Sequence, residues 1–218
     1  MAYRRTENVT RRLAARHAAI VAAACAAAAD GGMAAVQIAP VAARAGIAAG
    51  TVYRYFPSKT ELVAALVAAL SAREIAAIER AAKAAPGPLS ALAAAIVTFA
   101  ARALAGRQLC FALTAEPVEP EIDAVRSPYR QALAGQFERL LRNAVDGGHL
   151  PEQDAALAAA ALVGALSAGI VGMPAVEHDP ATARARVQML TLFALRGLGV
   201  VDARARGLVV QTALPEPD

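Results

Sequence analysis

Alanine dominates this chain throughout, while β-branched and aromatic residues are sparse, and that imbalance constrains the fold more than any other feature. Alanine loses no side-chain entropy in a helix, and strands favour the residues that are missing here. The expectation is an all-α fold. At 218 residues, 57% of them hydrophobic, the chain can bury a core as one medium domain or two small ones.

Glycine and proline punctuate the helical pattern. Residues 9 to 30 read as a first helix with Leu13, Ile20, Val21 and Ala24 on one stripe, ended by Asp30-Gly31-Gly32. A second covers Ile38 to Ala45 and halts at Gly46, and a third runs from Ala49 to Tyr55 before Phe56-Pro57. Ser58-Lys59-Thr60-Glu61 has the form of a capping box, so a long fourth helix should start there and reach Ala84. After Pro86-Gly87-Pro88, further helices are expected over 89–104, 108–114, 121–145, 152–173 and 180–198, with a loop around Pro174 to Pro180 and a disordered tail over 207–218.

Several function classes find little support. Ala155 to Val176 carries no charged residue and has the length of a bilayer crossing, but it is mostly Ala and Gly, contains Pro174 and has acidic flanks. It reads as a helix buried among helices. The apolar run Ala18 to Ala29 lies inside an amphipathic pattern with no convincing cleavage site after it, so a cytoplasmic protein with no membrane partner is expected. Cys25 and Cys110 lack partners at metal or redox spacing and read as buried free thiols. His17, His149 and His178 are isolated from one another and read as surface or packing residues, so neither a metal nor a cofactor is expected. For an enzyme or carrier there is no Ser/His/Asp set, no paired carboxylates in a convincing cleft and no glycine-rich phosphate loop.

The net charge of +4 is unevenly spread. Met1 to Thr60 holds eight basic residues (Arg4, Arg5, Arg11, Arg12, Arg16, Arg44, Arg54, Lys59) against Glu7 and Asp30, and the remainder is slightly acidic. That asymmetry fits a polyanion at one end of the molecule or, equally, a solvated helix face. Residues 37 to 56 have the length and turn glycine of a helix-turn-helix, whose second helix lies in the DNA major groove. Within it Thr51, Tyr53, Arg54 and Tyr55 crowd into a turn and a half, while Val52 and Phe56, four apart, share a face that can be buried. Gly50 lets backbone approach a phosphate, and Lys59 stands where free N–H groups already favour an anion. Taken singly, Tyr53 and Tyr55 read as packing under the first helix and Arg54 as solvated; taken as a set they read as a DNA surface.

The segment Ala45-Gly46-Ile47-Ala48-Ala49-Gly50-Thr51-Val52-Tyr53-Arg54-Tyr55-Phe56-Pro57-Ser58-Lys59 resembles the signature of TetR-type transcriptional regulators, and the sequence-level resemblance covers about residues 10 to 70. It implies an N-terminal three-helix DNA-binding domain over 1–60, with the helix-turn-helix at about 37–56, and a helical-bundle ligand-binding and dimerisation domain over 61–206. It further implies that Thr51, Tyr53 and Tyr55 contact phosphates or base edges, that Ala49, Gly50 and Arg54 line the groove, and that Lys59 binds a phosphate. Gln37 and Arg44 are added as DNA contacts, and Arg4 and Arg5 as either a minor-groove arm or a solubilising end. The chain departs from the pattern at Ala48, where a capping serine is usual, and at Ile38 and Ala39, which replace polar residues.

For the C-terminal half the resemblance implies a homodimer through the last two long helices. Leu162, Leu166 and Ile170 repeat along an apolar face, with Gly164, Ser167, Ala168 and Gly172 permitting close approach, although an interior helix of a monomer would look the same. A ligand pocket is implied there too, with Phe99, Leu104, Phe111, Thr114, Tyr129 and Phe137 as candidate lining or ordinary core. Its occupant should be apolar or aromatic, with at most one polar group recognised. The combined expectation is a homodimeric repressor bound to a palindromic double-stranded operator and released by a small ligand. An activator or a DNA binder without ligand response shares the same contacts.

Overall fold

A computed structural model describes residues 2–173 and 179–215, with side chains from residue 8 onward. Pro174 and His178 of the expected loop, and the last three residues of the tail, lie outside the described residues. The described residues form an all-α fold: α1 Ala2–Gly31, a 3-10 turn Met33–Ala35, α2 Ile38–Arg44, α3 Ala49–Tyr53, α4 Lys59–Ala84, α5 Pro88–Ala105, α6 Arg107–Thr114, α7 Pro120–Asp146, α8 Ala155–Gly172, α9 Pro180–Gly197 and α10 Asp202–Gln211.

The first four helices follow their local signals. α1 buries Ile20, Val21, Ala24, Ala27 and Ala28, a stripe at helical spacing, whereas Leu13 stays half exposed. Its start at Ala2 places Arg4 and Arg5 in helical backbone. α2 ends at Gly46, whose φ of 65° only glycine adopts freely. There Ile47 N donates to Ala42 O at 3.0 Å and Gly46 N to Ala43 O at 3.1 Å, the paired closure that satisfies the orphan carbonyls of a helix end. Ser58 caps α4 by accepting from Glu61 N at 3.1 Å.

α5 is the centre of the C-terminal bundle. It packs against α4, α6, α7, α8, α9 and α10, and Leu89, Leu92, Ile96, Val97 and Phe99 are buried along it. Asn8–Gly31, Pro88–Ala105 and Ala155–Gly172 are each long and apolar enough to cross a membrane, but α5 is enclosed by other helices, whereas α8 buries only a third of its length and keeps an open outer face.

α10 corrects the expected tail. Residues 207–211 continue this helix, because Ala205, Leu208 and Val209 are buried against the bundle. Beyond it, Leu214 packs on the core. The weak contrast between the faces of Asp202–Gln211 gave no clear helical signal in the sequence.

The two ends of the molecule are tied by a loop. Arg126 of α7, 4% exposed, donates through Nη1 to Ala112 O at 2.7 Å and Glu116 O at 2.9 Å, fixing the segment that leaves α6. From that segment the Glu116 carboxylate reaches the 3-10 turn before α2, accepting from Met33 N at 2.8 Å and Ala34 N at 3.2 Å. Gly32 permits the approach: its φ is 72°, and a Cβ there would lie 2.5 Å from Glu116 Oε2.

Candidate nucleic-acid interface and interior cavity

α3 and the three residues that follow it divide between core and solvent. Val52 and Phe56 are sealed in the core, while Gly50, Tyr53 and Arg54 are exposed and Ala49, Thr51 and Tyr55 half-buried. Tyr53 is 53% exposed, so it does not pack under α1. Tyr55 does lean on α1, its ring centroid 6.5 Å from that of His17, and Phe56 approaches the same imidazole at 4.8 Å. His17 is therefore a packing partner of the turn after α3, a role its isolation in the sequence left open. A Cβ at Gly50 would meet open space, so nothing inside the chain demands glycine there. Ala48, the N-cap of α3, supplies no side-chain cap.

The remaining sequence candidates are differently placed. Arg44 is exposed but pairs with Asp30 at 2.5 Å, and the Gln37 amide donates to Ala34 O at 3.1 Å. Lys59 opens α4 and lines a groove together with Gln37, Glu116 and Glu119.

A second feature is a cavity of about 360 Å³ between α4, α5, α6 and α7. Phe99 and Tyr129 line it; Leu104, Phe111, Thr114 and Phe137 do not. On α6 the cavity side runs through Leu109, Cys110 and Leu113, and Phe111 lies roughly 100° round the helix from Cys110. Phe137 is core, edge-on to Phe99 at 6.2 Å, and the Thr114 hydroxyl donates back to Cys110 O at 2.6 Å.

The cavity is more polar than the sequence suggests. Arg102 of α5 donates to Glu74 of α4 through Nε, at 3.0 and 3.1 Å, and through Nη2 at 2.9 Å, with the two side chains only 12% and 14% exposed. Sequence reasoning missed this pair, since 28 residues separate two charges that each resemble a solvated helix face. Arg73 stands exposed at the rim, and Pro215 closes part of the wall. Burial pushes the Cys110 thiol up to about 11, with Glu74 adding to the rise against a hydrogen bond from Thr114. Burial likewise raises the Tyr129 phenol, again reinforced by Glu74. Cys25 is half-buried, not buried as the sequence suggested.

The expected interface residues of α8 need correction. Leu162, Leu166, Ser167 and Ile170 are buried within the chain itself, and only Gly164 of that set is exposed. The outward face carries Leu157, Ala161, Gly164, Ala165, Ala168 and Gly172, beside Met189 and Phe193 of α9. Leu157, Met189 and Phe193 are exposed by 68%, 61% and 63%.

Residues 20–66, which span the α2–turn–α3 unit and the start of α4, match the profile described as bacterial regulatory proteins, tetR family. Residues 20–66 are thus a helix-turn-helix segment of the TetR type. The chain is 54% identical over 57 residues to the transcriptional repressor KstR of Rhodococcus jostii (strain RHA1), a stretch covering 26% of this chain and only 25% of that relative. Solved structures share the fold over most of the chain. RolR in complex with resorcinol aligns with a TM-score of 0.69 at 22% identity, covering 95% of this chain and 98% of that one. The fatty acid degradation regulator FadR from Bacillus halodurans aligns with a TM-score of 0.72 at 21% identity, over 85% and 97%.

Proposed function

We propose that this protein is a homodimeric, cytoplasmic transcriptional repressor, not an enzyme, that binds a palindromic operator and is released by a small, largely apolar ligand. Residues 1–60 serve as the DNA-binding unit and 61–206 as the ligand-binding and dimerisation unit. The observation that carries the reading is the division of α3 and the turn after it: Val52 and Phe56 are sealed, whereas Gly50, Tyr53 and Arg54 face solvent. A large aromatic side chain held out in water beside a glycine with open space is arranged for contact with something outside the chain. With Thr51, Tyr55 and Lys59 alongside, that partner is a duplex read in its major groove, with Ala49 lining it. Gln37 and Arg44 are secondary contacts, because each already has an intramolecular partner.

Dimerisation is supported by the apolar outer face of α8 and α9, where Leu157, Met189 and Phe193 lie exposed beside Gly164 and Gly172, both with open space for a close neighbour. A two-fold dimer matches an inverted repeat. Ligand response is supported by connectivity: α6 lines the cavity through Leu109, Cys110 and Leu113, and the segment leaving it carries Glu116 onto the turn before α2. A ligand that favours one placement of α6 thereby biases the recognition helix. KstR is described as a repressor and RolR with resorcinol bound, in keeping with this reading.

The test is selection of bound sequences from a random duplex pool. An inverted repeat is expected. Recovery of no palindromic motif would overturn the reading, and reporter expression in a strain lacking the gene, unchanged or lowered, would overturn repression.

A further inference from the structure

We infer that the cavity between α4, α5, α6 and α7 takes a compact, uncharged ring compound bearing a hydroxyl group. This rests on the reading of that cavity as the effector site. Tyr129 lines the cavity, is 4% exposed and has no hydrogen-bond partner for its hydroxyl among the described residues. Nor is that hydroxyl among the polar atoms sealed from solvent without a partner, as Ser167 Oγ is. A buried hydroxyl left unpaired by its own chain, yet open to a cavity, is arranged to bond an occupant.

Three further features narrow the class. At about 360 Å³ the cavity lies near the bottom of the range for ligand pockets, which favours a single ring over an extended chain. Its walls include the flat rings of Phe99 and Tyr129, which suit a ring, beside the apolar Leu113. Arg102 is engaged by Glu74, so the interior cation is already neutralised. The Glu74 carboxylate also acts, after burial itself, to raise both Cys110 and Tyr129, so its field at that end opposes an added anion. A neutral hydroxyl meets no such opposition: it accepts from Tyr129 and donates to the remaining lone pairs of Glu74.

The test uses the full-length protein, calorimetry and three probes of similar shape: 3-ethylphenol, 3-ethyltoluene and 3-ethylbenzoate. The expected order places 3-ethylphenol tightest and 3-ethylbenzoate weakest. Tyr129→Phe should leave the melting temperature of the free protein unchanged, since the hydroxyl has no partner to lose. It should weaken 3-ethylphenol roughly three- to tenfold, the worth of one neutral hydrogen bond, and leave 3-ethyltoluene unaffected. Ala103→Phe, which fills the cavity from α5, should abolish binding of every probe. Benzoate binding as tight as phenol, a phenol-to-toluene ratio unmoved by Tyr129→Phe, or phenol binding that survives Ala103→Phe would each overturn the inference. A duplex-release assay separates this inference from the regulatory reading. Tyr129-dependent phenol binding that leaves the duplex bound supports the cavity assignment and overturns ligand release; release by a probe indifferent to Tyr129 and Ala103 does the reverse.

Discussion

The contact from Glu116 to the 3-10 turn is the most exposed to experiment. Its carboxylate accepts from Met33 N at 2.8 Å, beside a side chain that is fully buried, and from Ala34 N at 3.2 Å in a more exposed setting. Hydrogen bonds to a charged group contribute about 1.5–3 kcal/mol, whereas water replaces much of an exposed one. Glu116→Ala should therefore cost about 2 kcal/mol, nearly all from Met33, which for a chain of this size lowers the melting temperature by about 4–8 °C. Gly32→Ala attacks the same contact from the other side. Alanine must hold the φ of 72° and its Cβ would displace Glu116 Oε2. Left-handed strain of about 1 kcal/mol adds to the lost bonds, for a total of about 3 kcal/mol. Because Gly32→Ala already breaks the contact, adding Glu116→Ala should cost no more than about 0.5 kcal/mol further. Urea unfolding of the four proteins measures the cycle, and hydrogen exchange at the Met33 amide reports the bond directly. Additive costs, or a Glu116→Ala protein melting within about a degree of wild type with unchanged exchange at Met33, would refute the reasoning.

Lys59→Ala should weaken all operators nearly uniformly and, with one lysine per subunit of a dimer, lower the salt-dependence slope by about two units in an anisotropy titration. Tyr53→Ala should cost roughly 1–3 kcal/mol per half-site and relax base preference there, with circular dichroism confirming intact helices. Phe193→Asp combined with Met189→Asp places charge on the exposed α9 face and should yield monomers in sedimentation at micromolar concentration; an unchanged dimer would place the interface elsewhere. Cys110, with its thiol pushed up to about 11 by burial, carries about one thiolate in a thousand at pH 8, so iodoacetamide should modify it only after unfolding; labelling of the folded protein at the rate of a free thiol would contradict its burial.

Local signals in this sequence were legible because they concern neighbours in the chain. Ser58 caps Glu61 N three residues on, Gly46 closes α2 within one turn, and the spacing of Val52 and Phe56 fixes which side of α3 is buried. The contacts that define the cavity and link it to the recognition helix are of another kind. Glu74 meets Arg102 across 28 residues, and Glu116 meets Met33 across 83. Each of these charges sits among small apolar residues, where a solvated face and a buried partner look alike, so only the packing of α4 on α5, and of the segment after α6 on the turn before α2, distinguishes them.

The assignment on α8 failed for a different physical reason. Apolar periodicity locates a buried face only when the opposite face is polar. Ala155–Gly172 is built from Ala, Leu, Val, Gly, Ile and a single Ser, with no charge to mark the outside. The repeat through Leu162, Leu166 and Ile170 is genuine, but it points toward the chain's own core, where those residues pack with buried side chains of the bundle. The face turned outward is made instead of Leu157 and the small residues from Ala161 to Gly172. A helix apolar on every side has two surfaces to bury, and the chain itself covers one of them. The second surface supports the proposed dimer, and the exposed Met189 and Phe193 on the adjacent helix extend it across α9. The lack of polarity that hid the orientation of α8 in the sequence is thus also the physical ground for expecting a partner against it.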